Sequence, residues 1–168
     1  MKPKMPNTVK AEVSMRIKNR VDISSLIAPY SIAYEDLSGS IITNFQRTGE
    51  DISNLNLTNA IVGTENGETH ISRAVVRNCC FKNTRFLGKV VAKKTDFTNT
   101  SFEDAFIPIC DYRFADLRGC TFCGTAFTIG THYSLGAKFD DKFFKDLAKM
   151  WNLTITVNKE IPEVLLEN

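Results

Sequence analysis

Cys120 and Cys123 form the one Cys-x-x-Cys spacing in the chain, a spacing that can serve a zinc ion or a redox dithiol. A structural zinc site needs four ligands, and Cys79, Cys80 and Cys110 offer no second pair at a matching spacing. The five thiols are odd in number and follow no apolar export segment, which fits a reducing compartment; three of them read as small core residues. His70 and His132 fall in segments that read as loops. Neither has a serine, cysteine or carboxylate at a spacing that would pair a nucleophile with its base. Asp96, Asp111 and Asp116 could suggest acid–base work, but in a repeat such carboxylates more simply satisfy turns and keep a wall soluble. No phosphate-binding glycine loop occurs; Gly119 and Gly124 sit at the corners of a short repeat. The residues best suited to chemistry thus point away from it, and the expectation is a protein that is no enzyme and uses no metal or cofactor.

The elements that carry these residues follow an interval of five. Phe97, Phe102, Ile107, Tyr112, Leu117, Phe122 and Phe127 are all large and apolar. Two residues before each stand Thr95, Thr100, Ala105, Cys110, Ala115, Cys120 and Thr125, all small. Neither an α-helix nor an ordinary strand predicts two interlocked columns at this period, so a repeat takes precedence over local secondary structure. Upstream, Val76, Phe81, Phe86 and Val91 continue the large column, with Ala74, Cys79 and Thr84 in the small one. Lys89 breaks the small column, and one extra residue enters before Phe97, most simply at the turn around Ala92 to Lys94. Ile52, Leu57 and Val62 form a looser earlier segment that Leu37 and Ile42 begin. The stretch Gly63 to His70, rich in Gly, Asn and Glu, reads as an inserted, solvated loop.

Segments such as Ala115-Asp116-Leu117-Arg118-Gly119 and Thr95-Asp96-Phe97-Thr98-Asn99 resemble the consensus of the pentapeptide-repeat family. The resemblance covers residues 35 to 130 and is specific between 74 and 127. It implies an all-β solenoid: a right-handed quadrilateral parallel β-helix with four pentapeptides per coil, the large residue and the small one two before it pointing inward. The physics agrees. A narrow tube needs one bulky side chain per wall with a small one beside it, or its interior overfills. A single coil cannot bury its own face, so coils must stack and the ends must be covered.

Three segments follow. Residues 1–34 form an N-terminal strand that serves as cap or arm, because Val9, Ala11, Val13, Met15 and Ile17 alternate with Lys10, Glu12, Ser14, Arg16 and Lys18. Residues 35–130 form the β-helix, with its insertion at 63–70. Residues 131–168 hold a helix over 140–151, opened by Asp140 and Asp141 and apolar at Phe143, Phe144, Leu147, Met150 and Trp151. A short strand through Leu153, Ile155 and Val157 and a tail come after it. The terminal strands could pair with each other or add to the sheet edge of another subunit.

A net charge of +2 brings no global field toward nucleic acid. No apolar run reaches the ~18 residues of a membrane helix, and the N-terminal lysines precede no apolar signal core. The expected setting is the cytoplasm, or a virion if the protein is viral. If four pentapeptides make a coil, Phe86, Ile107 and Phe127 share one wall, and their neighbours Leu87, Phe106, Pro108, Ile109 and Ile129 should point outward or sit at corners. The wall of Val76, Phe97 and Leu117 instead carries Arg77, Asp96, Asp116 and Arg118. An exposed apolar wall marks a partner surface. The sequence therefore predicts an interaction scaffold whose partners are copies of itself or other subunits of an assembly. The resemblance also implies an alternative, since some members of the family bind DNA gyrase as mimics of duplex DNA. That function needs rows of outward carboxylates, whereas Arg77, Lys82, Arg85, Arg113 and Arg118 decorate these walls. A third reading, nucleic-acid binding through Lys2, Lys4, Lys10, Arg16, Lys18 and Arg20, lacks interleaved aromatics for base stacking.

Overall fold

The computed structural model describes residues 1–127 and 132–150, with the backbone alone at Phe127, His132, Leu147 and Met150. Its elements are α1 (Asn7–Lys18), α2 (Ser24–Ile27), β1 (Ile41–Ile42), β2 (Ile61–His70), β3 (Arg85–Val91), β4 (Phe106–Ile107), β5 (Ile109–Asp111), β6 (Ala126–Phe127), β7 (His132–Tyr133) and α3 (Asp141–Met150). Every strand pairing among the described residues is parallel. Single-residue parallel bridges continue the same ladders where the strands are too short to name, as in Asp51–Val75–Asp96–Asp116–Lys138 and Asp36–Asn56–Cys80–Ser101–Thr121.

The chain thus winds into a four-walled solenoid. The first wall stacks Ile42, Val62, Phe86 and Ile107 inward. The second stacks Arg47, Ile71, Ala92 and Tyr112. The third stacks Ile32, Ile52, Val76, Phe97 and Leu117, and the fourth Leu37, Leu57, Phe81, Phe102 and Phe122. Most of these side chains are fully buried, and each large one contributes roughly 1.5–3 kcal/mol. On the fourth wall the rings form a continuous spine, with Phe81–Phe102 centroids 5.3 Å apart and Phe102–Phe122 stacked at 5.1 Å.

The small column has its own reason. At the corners into the first, third and fourth walls its hydroxyls and thiols donate to the carbonyl of a large residue one coil earlier: Thr84 to Leu57 at 2.7 Å, Thr95 to Ile71 at 2.6 Å, Thr125 to Phe102 at 2.6 Å, and Thr100 to Val76. Cys79 and Cys120 make the same contact to Ile52 and Phe97, each at 3.1 Å. A small polar group here fills the corner and stitches two coils together. Among the described residues, the buried Ser40 and Thr69 hydroxyls find no such partner.

Four sequence expectations change. The first concerns residues 8–18, which form helix α1 and not a strand. A strict alternation also contains an i, i+4, i+8 set, and the helix uses it: Val13 is buried, Val9 and Ile17 pack on the core, and Met15 is exposed. Arg20, at φ 56°, turns the chain out of the helix, and the Val21 N–H returns to the Arg16 carbonyl.

The second concerns Gly63 to His70. These residues lie within β2, which runs from the first wall into the second beside β3; only the stretch between Gly63 and Glu68 bulges out of register. The third is the extra residue before Phe97. It sits not at Ala92 to Lys94 but inside β3, where Gly88 stands opposite that bulge. As a result Val90, not Lys89, fills the small slot, and Ala92, not Val91, fills the large one. The fourth is His132, which belongs to β7 beside β5 and not to a loop.

The ends of the stack are occupied. Met5 and Val13 join the core cluster, and Arg47, in a slot otherwise held by apolar residues, donates to the carbonyls of Ile27 at 2.8 Å and Tyr30 at 2.9 Å. This buried cation adds a second donor to the Ile27 carbonyl at the C-terminal end of α2 and caps the turn that follows it at Tyr30. It also pairs with Glu50, which reaches Lys2. At the other end α3 packs through Phe143, whose ring meets Phe122 edge-on at 5.2 Å and Phe139 at 4.2 Å. The expected strand at Leu153, Ile155 and Val157 lies outside the described residues.

Candidate interaction surfaces

The Asp and Asn side chains beside the large column form turns. Asp51, Asn56, Asp96 and Asp116 each stand one residue before an inward side chain. Each accepts the N–H of the residue two positions on, at 2.9, 3.0, 3.1 and 3.2 Å. On the third wall two are also neutralised: Asp96 by Arg77 and Asp116 by Arg118, both at 2.6 Å. The Arg118 guanidinium holds the Asp116 carboxyl below its ordinary range. The outward column of that wall reads Asp51, Val75, Asp96, Asp116, Lys138, so it is no continuous acidic stripe.

The cysteines divide by the same geometry. Cys79, Cys110 and Cys120 point inward, Cys80 is half-buried and Cys123 is exposed. Burial pushes the Cys79 and Cys120 thiols up to about 12. Cys120 is buried while Cys123 is exposed, so the two thiols do not share a site. His70 pairs with Glu68 at 2.9 Å, and Glu68 pairs with Lys89 at 3.0 Å, all on the surface of the second wall. The space left inside the tube, between residues such as Phe81, Phe86, Phe97 and Phe102, is an apolar void of about 30 Å³, room for roughly one water and no larger ligand.

Of the inward residues read from the sequence, Val76, Phe81, Phe86, Phe97, Phe102, Ile107, Leu117 and Phe122 are buried, and Tyr112 is half-buried. The side chain of Phe127 is outside the described part. The outward column of the first wall reads Asp22, Ile41, Ile61, Arg85, Phe106, Ala126. The Arg85 guanidinium lies over the Phe106 ring at 5.7 Å. Leu87, Pro108 and Ile109 sit half-buried at the edge toward the second wall. Ile129 lies outside the described residues.

A third column escaped the sequence reading. Two residues after the large one, the backbone turns left-handed at the other three edges of the tube. Between the third and fourth walls this position holds Tyr34, Asn54, Asn78, Asn99 and Gly119, and between the fourth and first Gly39, Asn59, Asn83, Asp104 and Gly124. Asn, Asp and Gly tolerate this conformation, whereas other residues lose about 1–2 kcal/mol in it. The Asn at 54, 59, 78, 83 and 99 were the available signal. Between the second and third walls the same position holds Gly49, Arg73, Lys94, Phe114 and Gly136, with φ of 59°, 58° and 59° at the middle three.

Inward large and small columns, a left-handed third position and four walls per coil together define the five-residue repeat. The fold is a four-walled parallel β-solenoid built from five-residue repeats. That assignment rests on the ladders and columns of this chain. No protein-family model matches it, and no curated protein does. Among solved structures, this chain is similar to Rfr23, a pentapeptide repeat protein from the cyanobacterium Cyanothece 51142. The identity is 17% over 55% of this chain and 61% of that one, with a TM-score of 0.39. It is also similar to a trypsin-treated variant of QnrB1, a plasmid-mediated fluoroquinolone resistance protein, at 13% identity over 77% of this chain and 68% of that one, TM-score 0.36. The match thus spans less than two thirds of the Rfr23 chain. At such scores neither likeness bears on what this chain binds.

Proposed function

We infer that this repeat scaffold is non-enzymatic and joins copies of itself through its first wall. The observation that carries this reading is the contrast between two outer columns of one tube. On the third wall four of the five outward positions are charged, and Asp96 and Asp116 are paired with Arg77 and Arg118. On the first, Ile41, Ile61 and Phe106 form an apolar column edged by Leu87, Pro108 and Ile109, and the Arg85 cation is turned onto an aromatic ring. Flat β-walls of this kind bury apolar area well against a second copy related by a two-fold axis. The paired arginines of the third wall weigh against a gyrase-binding mimic of duplex DNA. Half of the basic residues of the N-terminal segment are neutralised, with Lys2 on Glu50, Lys10 on Glu35 and Arg16 on Glu12.

Replacing Phe106 and Ile109 by Asp tests the surface. Sedimentation should show the double variant as a monomer under conditions where the unaltered chain associates, with thermal unfolding still cooperative. Association unchanged by both carboxylates would remove the first wall from the account.

A further inference from the structure

We propose that the edge between the second and third walls binds single-stranded nucleic acid, with Arg73, Lys93, Lys94 and Arg113 on phosphates and Phe114 against a base. This site is separate from the first wall and does not depend on the self-association proposed above.

The first ground is the left-handed column. At the other two edges that adopt it, the position is filled almost throughout by Asn, Asp or Gly, which the backbone tolerates. Among the described residues, only this edge places a cation, a cation and an aromatic on three consecutive coils in the same conformation. Core packing does not select them, because Arg73, Lys94 and Phe114 are all exposed to solvent. Strain kept where packing gains nothing is a mark of a functional position.

The second ground is charge. Among the described residues neither Arg73 nor Lys94 has an ion-pair partner, while Lys93 and Arg113 share the single carboxylate of Asp111 at 3.3 and 2.8 Å. Four cations thus face one acid along a row whose coils are about 4.8 Å apart.

The third ground is the aromatic end of the row. Phe114 is 55% exposed, and its ring rests on Gly136, where any side chain would collide with it. Tyr133, 54% exposed, belongs to the same end of the row and has the Arg113 guanidinium over its ring at 5.8 Å. A cationic track with an exposed stacking platform is what a single strand requires, since phosphates take the charges and a base takes the ring. An acidic peptide would use the cations and leave the ring without a role, and a duplex would offer no unstacked base.

The test uses the full chain and a fluorescein-labelled oligothymidylate of about ten nucleotides, within the span a single-strand groove occupies, titrated by anisotropy at several salt concentrations. The unaltered chain should bind at low salt. Arg73→Asn with Lys94→Asn should weaken binding at least about tenfold and reduce the salt slope by about 1.4, at roughly 0.7 per phosphate contact on a single strand. Phe114→Ala should weaken binding about fivefold or more with the slope unchanged. Because Asn is the residue native to the other edges, the double variant should melt no lower than the parent, so lost binding cannot be lost folding. Absence of oligothymidylate binding at low salt would overturn the proposal. So would equal or tighter binding of a polyglutamate peptide or of a duplex, or affinity that survives the double Asn variant.

Discussion

Gly88 faces the backbone carbonyl of Thr64 one coil earlier, so closely that a side-chain carbon at position 88 would collide with it and with the carbonyl of Gly67. The contact explains how a short repeat absorbs an insertion. The bulge between Gly63 and Glu68 turns its carbonyls toward the next coil, and that coil answers with one extra residue that has no side chain.

Gly88→Ala should therefore destabilise the protein by about 2–4 kcal/mol, combining a left-handed backbone at φ 67° with a clash against main-chain atoms that cannot step aside. Urea unfolding measures it. A change within experimental error would mean that the bulge is free to shift.

The small-column hydroxyls offer a paired comparison. Thr84→Val removes the 2.7 Å bond to the Leu57 carbonyl and should cost about 1 kcal/mol, with Thr84→Ser recovering most of it. Thr69→Val removes a buried hydroxyl that has no partner among the described residues and should be neutral or stabilising. Chemical denaturation of the three variants separates a stitching role from mere size, because size alone predicts the same result at both positions.

Much of this was legible in the sequence, and the exceptions have physical causes. The columns from Val76 to Phe122 could be read because a closed tube leaves no freedom in side-chain size; Phe81, Phe97, Phe102 and Leu117 are inside as their spacing demands. Helix α1 was missed because Val9, Val13 and Ile17 satisfy two periods at once. The slip to Val90 and Ala92 was missed because Lys89 and Val91 are polar and apolar enough to suggest a different register, and only the pairing of β2 with β3 decides it. Arg47 was invisible as an inward residue, since its partners Ile27 and Tyr30 belong to a segment outside the repeat. The ladders of the first and third walls follow the four-wall period. The cationic edge did not, because left-handed backbone leaves no mark in a sequence when Arg, Lys and Phe occupy it.

Acid should weaken the second wall in a defined window. Asp111 is buried, and hydrogen bonds from Arg113, with a further one from Lys93, hold its carboxyl below the ordinary carboxylate value. A carboxyl with a depressed folded pKa contributes its full stabilisation above the unfolded value, about 3.9, and loses it as pH falls through the folded value. The stability difference between the parent and Asp111→Asn should be constant above about pH 5 and shrink below about pH 4. A difference that persists unchanged to lower pH would show that the ion pairs contribute nothing.

Thiol chemistry reports which side of the wall each cysteine occupies. Cys123 should react with a maleimide at once in the native protein, whereas Cys79, Cys110 and Cys120 should react only on unfolding, being buried and held as neutral thiols. Mass spectrometry of the labelled peptides checks it. Rapid native labelling of Cys120 would contradict the inward small column.

The central claim is that the first wall joins identical chains, and the solution mass of the unaltered protein tests it most directly. Light scattering across a concentration series should show a dimer or larger species that dissociates on dilution. A monomer of 18.9 kDa at every concentration would contradict the account.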